Sequence, residues 1–200
     1  MGRRSSHTPE ELRELILDAS TSLISEGGLS TLSAREVARR IGYSPGTLYN
    51  VFENLDDLVL NIEGRLLDGL ARELESIPKD GSPKNEILAL GRAYLKYTCE
   101  KPKLWNLLFE HHLPPGTDIP LWYQQKLDSL MQRVEAVVAE LLPGHKPEEV
   151  KRSAHALWAG VHGISSLATA DKLSVVTNDG AGVLVDLLVS TYVDGLKKTA

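Results

Sequence analysis

The residue types that most often do chemistry cluster once in this chain, at Glu110, His111 and His112. A carboxylate beside two imidazoles could bind a metal ion or move a proton. Successive residues on a helix point in different directions, however, so three neighbours do not converge on one ion. The cluster therefore predicts neither a metal site nor a catalytic site.

Motifs that mark common enzyme and cofactor sites do not occur in the sequence. The metalloprotease pattern HExxH, the di-iron pattern ExxH, CxxC, the P-loop, GxGxxG and GxSxG are all missing. A single cysteine, Cys99, excludes an internal disulfide framework and is typical of a reducing cytoplasm. We therefore expect no enzyme activity, no metal and no cofactor.

A different chemistry is indicated by the stretch "IGYSPGTLYNVF" at 41–52, in which no residue carries a formal charge. Thr47, Tyr49 and Asn50 offer polar groups, and the small residues before them would let a backbone come close to a ligand. If a helix begins at Ser44, the N–H groups of its first turn could face a phosphate, helped by the helix dipole. These are the properties of a DNA-reading helix.

Helix signals surround this stretch. Thr8 with Glu11, and Ser33 with Glu36, form two predicted capping boxes. Gly42 is expected to end the second helix, and Ser44 to cap a third. An apolar stripe follows the first box at Leu12, Leu15, Ile16, Ala19 and Leu23.

Longer helices follow a fourth one that begins after "NLDD" at 54–57. The stretch "IPKDGSP" at 77–83 is the best linker. Further helices are predicted at about 83–100, 102–112, 120–142, 147–170 and 179–198, and only "LSVV" at 173–176 is β-like. We predict an all-α fold of about nine helices, with an N-terminal three-helix helix-turn-helix domain at 1–64 and a C-terminal helical bundle at 65–200.

The charge of the chain is not that of a typical nucleic-acid-binding protein. Net charge is −5, and residues 1–64 hold six Lys+Arg against ten Asp+Glu. Residues 34–52, by contrast, hold three arginines and one glutamate. Two short helices joined by a glycine turn predict a helix-turn-helix that reads DNA through a small, locally basic surface. A helical hairpin that only packs is the alternative.

The stretch "LSAREVARRIGYSPGTLYNVFENLDDLVLNI" at 32–62 resembles the DNA-binding domain of the TetR/AcrR repressor family. The resemblance is carried by Ala38, Ile41, Gly42, Gly46, Leu48, Tyr49, Phe52 and Leu58. A second stretch, "LWAGVHGISSL" at 157–167, looks like the signature of the family's WHG-type C-terminal domain, through Trp158, His162 and Gly163. The resemblance implies an all-α homodimeric repressor with an effector-binding C-terminal domain.

Carried over position by position, the resemblance implies DNA contacts at Thr31, Ser33, Arg35, Ser44, Gly46, Thr47, Tyr49 and Asn50. Arg3 and Arg4 could form an arm for the DNA backbone or minor groove, and Arg39 adds a candidate contact. Relatives commonly have basic residues where this chain has Glu53 and Leu55. Because fewer phosphates would be neutralised by side-chain cations, we expect a shallow salt dependence of DNA binding.

Aromatic residues gather in the second half of the chain, a composition typical of an apolar pocket between helices. The predicted effector pocket comprises Tyr94, Tyr97, Trp105, Phe109, His112, Trp122, His155, Trp158 and His162. Its ligand would be a small, apolar or aromatic molecule. Core packing is the alternative for the aromatics, and a structural hydrogen bond is the alternative for His162.

Small and apolar residues on the last two long helices predict a four-helix dimer interface. Its predicted members are Ala156, Gly160, Gly163, Leu184, Leu187, Leu188 and Thr191. Palindromic half-sites about one DNA turn apart require a two-fold symmetric protein, which favours this interpretation. Burial of the same residues within one subunit is the alternative.

Three functions are compatible with these patterns: a ligand-responsive regulator, a helical small-molecule enzyme or carrier, and a protein-interaction adaptor. We expect the first, a cytoplasmic repressor that binds double-stranded operator DNA as a homodimer and is released by a small molecule. No apolar run reaches the roughly 18 residues that span a bilayer, so no membrane is expected. An activator, or a repressor that needs no ligand, is also compatible with these patterns.

Overall fold

A computed structural model describes residues 7–79 and 81–199, with side chains described as far as residue 196. Within these ranges every regular element is helical, which confirms the predicted all-α fold. The α-helices are α1 (Pro9–Gly27), α2 (Ala34–Ile41), α3 (Leu55–Glu75), α4 (Pro83–Glu100), α5 (Pro102–Glu110), α6 (Leu121–Leu141), α7 (Pro147–Thr169), α8 (Leu173–Val176) and α9 (Ala181–Thr199). Two short 3₁₀ helices lie at Leu29–Thr31 and Pro45–Asn50.

Two local predictions need correction. The helix after Ser44 is a six-residue 3₁₀ helix, in which the Thr47 N–H donates to the Ser44 carbonyl at 3.0 Å. The Ser44 hydroxyl lies 3.1 Å from the Thr47 hydroxyl and caps no backbone N–H, and Gly46 is a poor α-helix former. The β-like run at 173–176 is the short helix α8.

The helix ends follow local signals closely. Thr8 and Glu11 form the predicted capping box at the start of α1. At the start of α2 only half of the second box forms, because Ser33 accepts the Glu36 N–H at 3.2 Å while the Glu36 carboxylate binds Arg39 instead. Gly42 ends α2 in the left-handed conformation at φ 75°, as predicted.

The chain forms two compact units, and the first consists of the described part of Met1–Leu66 together with Lys103–Ile119. Its core is a single buried apolar cluster. Members include Leu12, Ile16, Leu23, Ile24, Val37, Ala38, Leu48, Phe52, Leu58, Ile62, Leu104 and Leu107. Helices α1, α2 and α3, the 3₁₀ helix Pro45–Asn50 and α5 all contribute to this core.

The second unit, Leu67–Pro102 and Pro120–Ala200, is built around α4, α6, α7 and α9. Gly91 lets α4 and α9 approach closely, since a Cβ there would lie 3.3 Å from Val185 and 3.4 Å from Val189. Arg133 of α6, which is half-buried, forms an ion pair at 2.5 Å with the buried Glu86 of α4. The domain boundary at 64/65 stays a prediction.

Candidate nucleic-acid interface

The 3₁₀ helix Pro45–Asn50 presents its polar side chains to solvent and buries its apolar one. Tyr49 is 53% exposed, whereas Leu48 is only 2% exposed and lies in the core of the first unit. Ser44, Gly46 and Asn50 are exposed as well, and Thr47 is half-buried. The predicted contacts of this segment therefore lie together on one accessible surface.

The end of this segment is held by a side chain from α1. The Arg13 guanidinium lies 4.6 Å from the centre of the buried Phe52 ring, and it also donates to Asn61 Oδ1 of α3 at 2.5 Å. A cation over an aromatic face is attracted by the ring quadrupole. Arg13 thus fixes the residues that follow the exposed polar surface, a role that was not predicted from the sequence.

Two of the three arginines on α2 are engaged by carboxylates. Arg39 makes a two-pronged contact with Glu36, at 3.0 and 2.5 Å. Arg40 reaches back to α1, where it binds both oxygens of Glu26 at 2.8 Å. Hydrogen bonds from Arg40 and then Ser22 lower the pKa of Glu26 to about 2, so this pair is charged at neutral pH. Arg35 is exposed, with no ion pair to another described residue.

Thr31 and Ser33 organise the backbone between α1 and α2. The Thr31 hydroxyl lies within donating distance of the carbonyls of Leu23, at 2.9 Å, and Gly28, at 2.7 Å. Its methyl group occupies the place of a Cβ at Gly27, which explains that glycine. Ser33 caps α2.

The predicted residues Arg3 and Arg4 lie outside the described residues. His7, which is the first described residue, bonds through Nδ1 to the Tyr43 hydroxyl at 2.6 Å.

The role of His111 was not predicted from the sequence either. This side chain is 7% exposed, and its two ring nitrogens lie 3.1 Å from Glu63 Oε1 and 3.1 Å from Asp56 Oδ1, both on α3. The hydrogen bond to Glu63 is the main cause that raises the pKa of His111 above its ordinary 6.5, against the opposing effect of burial. Because the carboxylates lie 48 and 55 residues away, no local pattern pointed to them.

In the second unit the structure brings three predicted pocket residues together. Tyr94 of α4 is hydrogen-bonded through its hydroxyl to His162 Nδ1 at 2.8 Å. Trp158 stacks on the His162 ring at a centroid distance of 5.3 Å and an angle of 11°. Burial lowers the pKa of His162, so the ring is neutral at pH 7. The structural hydrogen bond considered for His162 is present.

The other predicted pocket residues are dispersed. Trp105, Phe109 and His112 belong to the first unit, where Trp105 and Phe109 pack at 6.2 Å. In the second unit, Trp122 contacts Tyr123, and the exposed His155 lies 3.3 Å from Glu135. Tyr97 of α4 is buried, and its hydroxyl packs against Gly69 of α3, where a Cβ would clash with it.

A separate surface depression of about 430 Å³ lies between α4 and α9. Arg92, Lys96, Cys99 and Asp186 are among its lining residues. Arg92 donates to both carboxylate oxygens of Asp186 at 2.7 Å, and this contact lowers the pKa of that carboxyl. None of the predicted pocket residues lines it.

Neither a metal-binding cluster nor a membrane-spanning helix is found among the described residues. Among the side chains of residues 7–79 and 81–196, no group of three or more His, Cys, Asp or Glu could hold a metal ion. None of the helices described there is both long enough and apolar enough to cross a bilayer.

Two family models match the chain. The family model for bacterial regulatory proteins of the tetR family matches residues 16–62, which span the helix-turn-helix. The model for the tetracyclin repressor-like C-terminal domain matches residues 87–192, more than half of the chain. The chain belongs to the TetR family of transcriptional regulators. This is a family of DNA-binding regulators rather than enzymes.

Two curated relatives of this TetR-family regulator differ in how much they share with it. The HTH-type transcriptional repressor KstR of Rhodococcus jostii is 39% identical over 77 residues, which are 38% of this chain and only 33% of that protein. The chain therefore spans about a third of this relative's length. An uncharacterized HTH-type transcriptional regulator of Mycobacterium tuberculosis, Rv0681, is 22% identical over 88% of this chain and 78% of its own.

Solved structures agree on the fold of the regulator. A Rhodococcus protein of unknown function aligns over 98% of this chain and 100% of its own, with a TM-score of 0.79 and 21% identity. A tetR-family transcriptional regulator from Streptomyces coelicolor aligns over 100% of this chain and 89% of its own, with a TM-score of 0.70 and 17% identity. At these identities the likeness extends to the fold alone.

Proposed function

We propose that this TetR-family regulator is a repressor that binds a palindromic operator as a homodimer and is released by a small-molecule effector. The observation that carries the proposal is the exposed polar surface at Ser44–Asn50, held on the core of the first unit by the buried Leu48 and Phe52. Side chains there can reach base edges in the major groove while the small residues let the backbone approach a phosphate.

The DNA contacts in this proposal are those predicted from the sequence, with two adjustments. A six-residue 3₁₀ helix has little dipole, so hydroxyl and amide groups rather than the helix end carry the contacts. Arg39 must leave Glu36, or share its charge with it, before it can bind a phosphate. Arg35 is the better placed cation because it is exposed and has no ion pair to another described residue.

The dimer interface in this proposal is the outer face of α7 and α9. Ala156, Gly163 and Thr191 are exposed in the single chain, and Leu187 is 62% exposed. Leu188 lies over Gly160, where a Cβ would be 2.8 Å from its Cδ2 atom, so α7 and α9 pack tightly side by side. An apolar face of this kind is typical of a surface that another subunit covers.

The effector in this proposal is an apolar or aromatic small molecule bound in the second unit. Tyr94, Trp158 and the neutral His162 support this choice, because they combine aromatic surface with polar groups among helices. We call residues Ser44–Asn50 the DNA-reading segment. Effector binding would favour a dimer whose two DNA-reading segments no longer match the spacing of the operator half-sites. The coupling required is typically about 1–3 kcal/mol.

The test is operator binding by a variant of the DNA-reading segment. Footprinting on the DNA that flanks the regulator's own gene locates the operator, and compounds that release the protein identify the effector. We expect Thr47→Ala combined with Tyr49→Ala to weaken operator binding by about tenfold or more, as for the loss of one good base contact. Thr117→Ala, an exposed threonine outside the segment, is the matched control. Unchanged binding by a folded double variant would overturn the proposal.

A further inference from the structure

The segment Lys103–Ile119 belongs to the first unit, although the chain on both sides of it belongs to the second. Leu104 and Leu107 of α5 enter the core of the first unit. Lys103 donates to the Glu26 carbonyl at the end of α1, and His111 bonds to α3. The segment is therefore fixed at its start by Lys103 and just beyond the end of α5 by His111.

The bonds of His111 require a particular protonation state. A carboxylate can only accept hydrogen bonds, so a ring bonded to Glu63 through Nδ1 and to Asp56 through Nε2 must donate from both nitrogens. A neutral imidazole has one N–H and can serve one of them. Both contacts at 3.1 Å therefore need the imidazolium, which also neutralises a Glu63 side chain that is only 3% exposed.

We propose that His111 is a positioning residue that ties the segment after α5 to the first turns of α3 only while its ring is protonated, and that operator affinity falls when this tie opens. Asp56 lies in the first turn of α3, just beyond the DNA-reading segment, and its side chain is 40% exposed. Loss of the Nε2 proton frees Asp56 toward solvent first, because Glu63 is buried.

The tie acts on the operator-binding surface through a shared core. Leu58, two residues after Asp56 on α3, packs in the same buried cluster as Leu48 and Phe52. Glu63 and Asp56, both from α3, are the charged groups that act on the His111 ring, and the adjacent His112 bonds to the Glu110 carbonyl instead. The inference rests on the proposed function, because it concerns the strength of operator binding.

The sign of the pH effect follows from the raised pKa of His111. The stabilisation is complete below pH 6.5 and is lost as pH rises through the higher pKa of the folded protein. We expect operator affinity of the intact protein to fall by about fivefold or more across that range, the lower end of typical coupling between sites. His111→Gln should lack this pH-dependent component. His145→Gln, between α6 and α7 in the second unit, should keep it.

The experiment measures operator affinity and urea unfolding from pH 6 to pH 9 for the intact protein and for His111→Gln, His145→Gln and Asp56→Asn. Asp56→Asn, at a half-exposed position, provides the test if His111→Gln does not fold. This variant should shift the midpoint of the pH dependence of operator affinity to lower pH. If operator affinity depends on pH in the same way in the intact protein and in the folded His111→Gln and Asp56→Asn variants, the inference is overturned. If no protein binds DNA at any pH, the proposed function fails, while the unfolding profiles still decide whether the tie exists.

Discussion

At the scale of single residues, three arginines of the DNA-binding unit are engaged with its own carboxylates. Arg39 binds Glu36, Arg40 binds Glu26, and Arg65 binds both Glu14 and Asp18. Exposed pairs of this kind contribute little to stability. Their larger effect is on the charge available to DNA, because a paired arginine must exchange a carboxylate for a phosphate before it binds.

This pairing predicts the salt dependence of operator binding. We expect a log–log slope much shallower than −10 for the dimer, since few side-chain cations neutralise phosphates. Glu36→Gln releases Arg39 and should tighten binding, with a slope steeper by about one per subunit. Fluorescence anisotropy across a salt series measures both the operator affinity and its log–log slope with salt.

The control for this variant removes one negative charge elsewhere. Glu148→Gln changes an exposed residue in the first turn of α7, in the second unit, and should leave the slope unchanged. A slope near −10 for the unmodified protein would contradict the prediction.

At the scale of elements, helix boundaries were predictable because their signals are local. Thr8 and Gly42 act on backbone groups within a few residues, and both behave as their types and positions predict. The 3₁₀ form at Pro45–Asn50 was not predicted, and the Ser44 hydroxyl lies against the Thr47 hydroxyl instead of capping a backbone N–H. Arg13 and His111 were missed because their partners lie far along the chain.

Gly42 is the element boundary on which the DNA-reading segment depends most. It ends α2 at φ 75°, and the Tyr43 N–H then bonds to the Ala38 carbonyl at 3.0 Å. A Cβ at this position meets no neighbour, so the cost of Gly42→Ala is backbone strain alone. We expect it to lower the free energy of unfolding by about 1 kcal/mol, measured in urea.

Gly195→Ala is the matched control for this substitution. Gly195 lies within α9, and a Cβ there also meets no neighbour. Alanine in a helix interior is favoured over glycine by roughly 0.5–1 kcal/mol, so this variant should be as stable as the unmodified protein or more stable. A Gly42→Ala protein as stable as the unmodified one would show that the left-handed turn is not required.

At the scale of the whole molecule, the net charge of −5 and the exposed apolar face of α7 and α9 both bear on assembly. A negatively charged protein gains little from non-specific attraction to DNA. Two linked reading segments compensate, because binding of the first half-site raises the effective concentration of the second. The proposed dimer is therefore needed for operator affinity as well as for symmetry.

Leu187→Glu tests this dependence. In a single chain the 62% exposed side chain tolerates a carboxylate, whereas in the proposed dimer the charge would be buried without a partner. We expect a folded monomer in sedimentation velocity, together with a loss of operator affinity of about tenfold or more. Leu121→Glu, at a leucine that is 72% exposed on α6, should remain dimeric and bind normally. If Leu187→Glu stays dimeric, the subunits meet on a different face; if the unmodified protein is monomeric when bound to its operator, the need for a dimer is refuted.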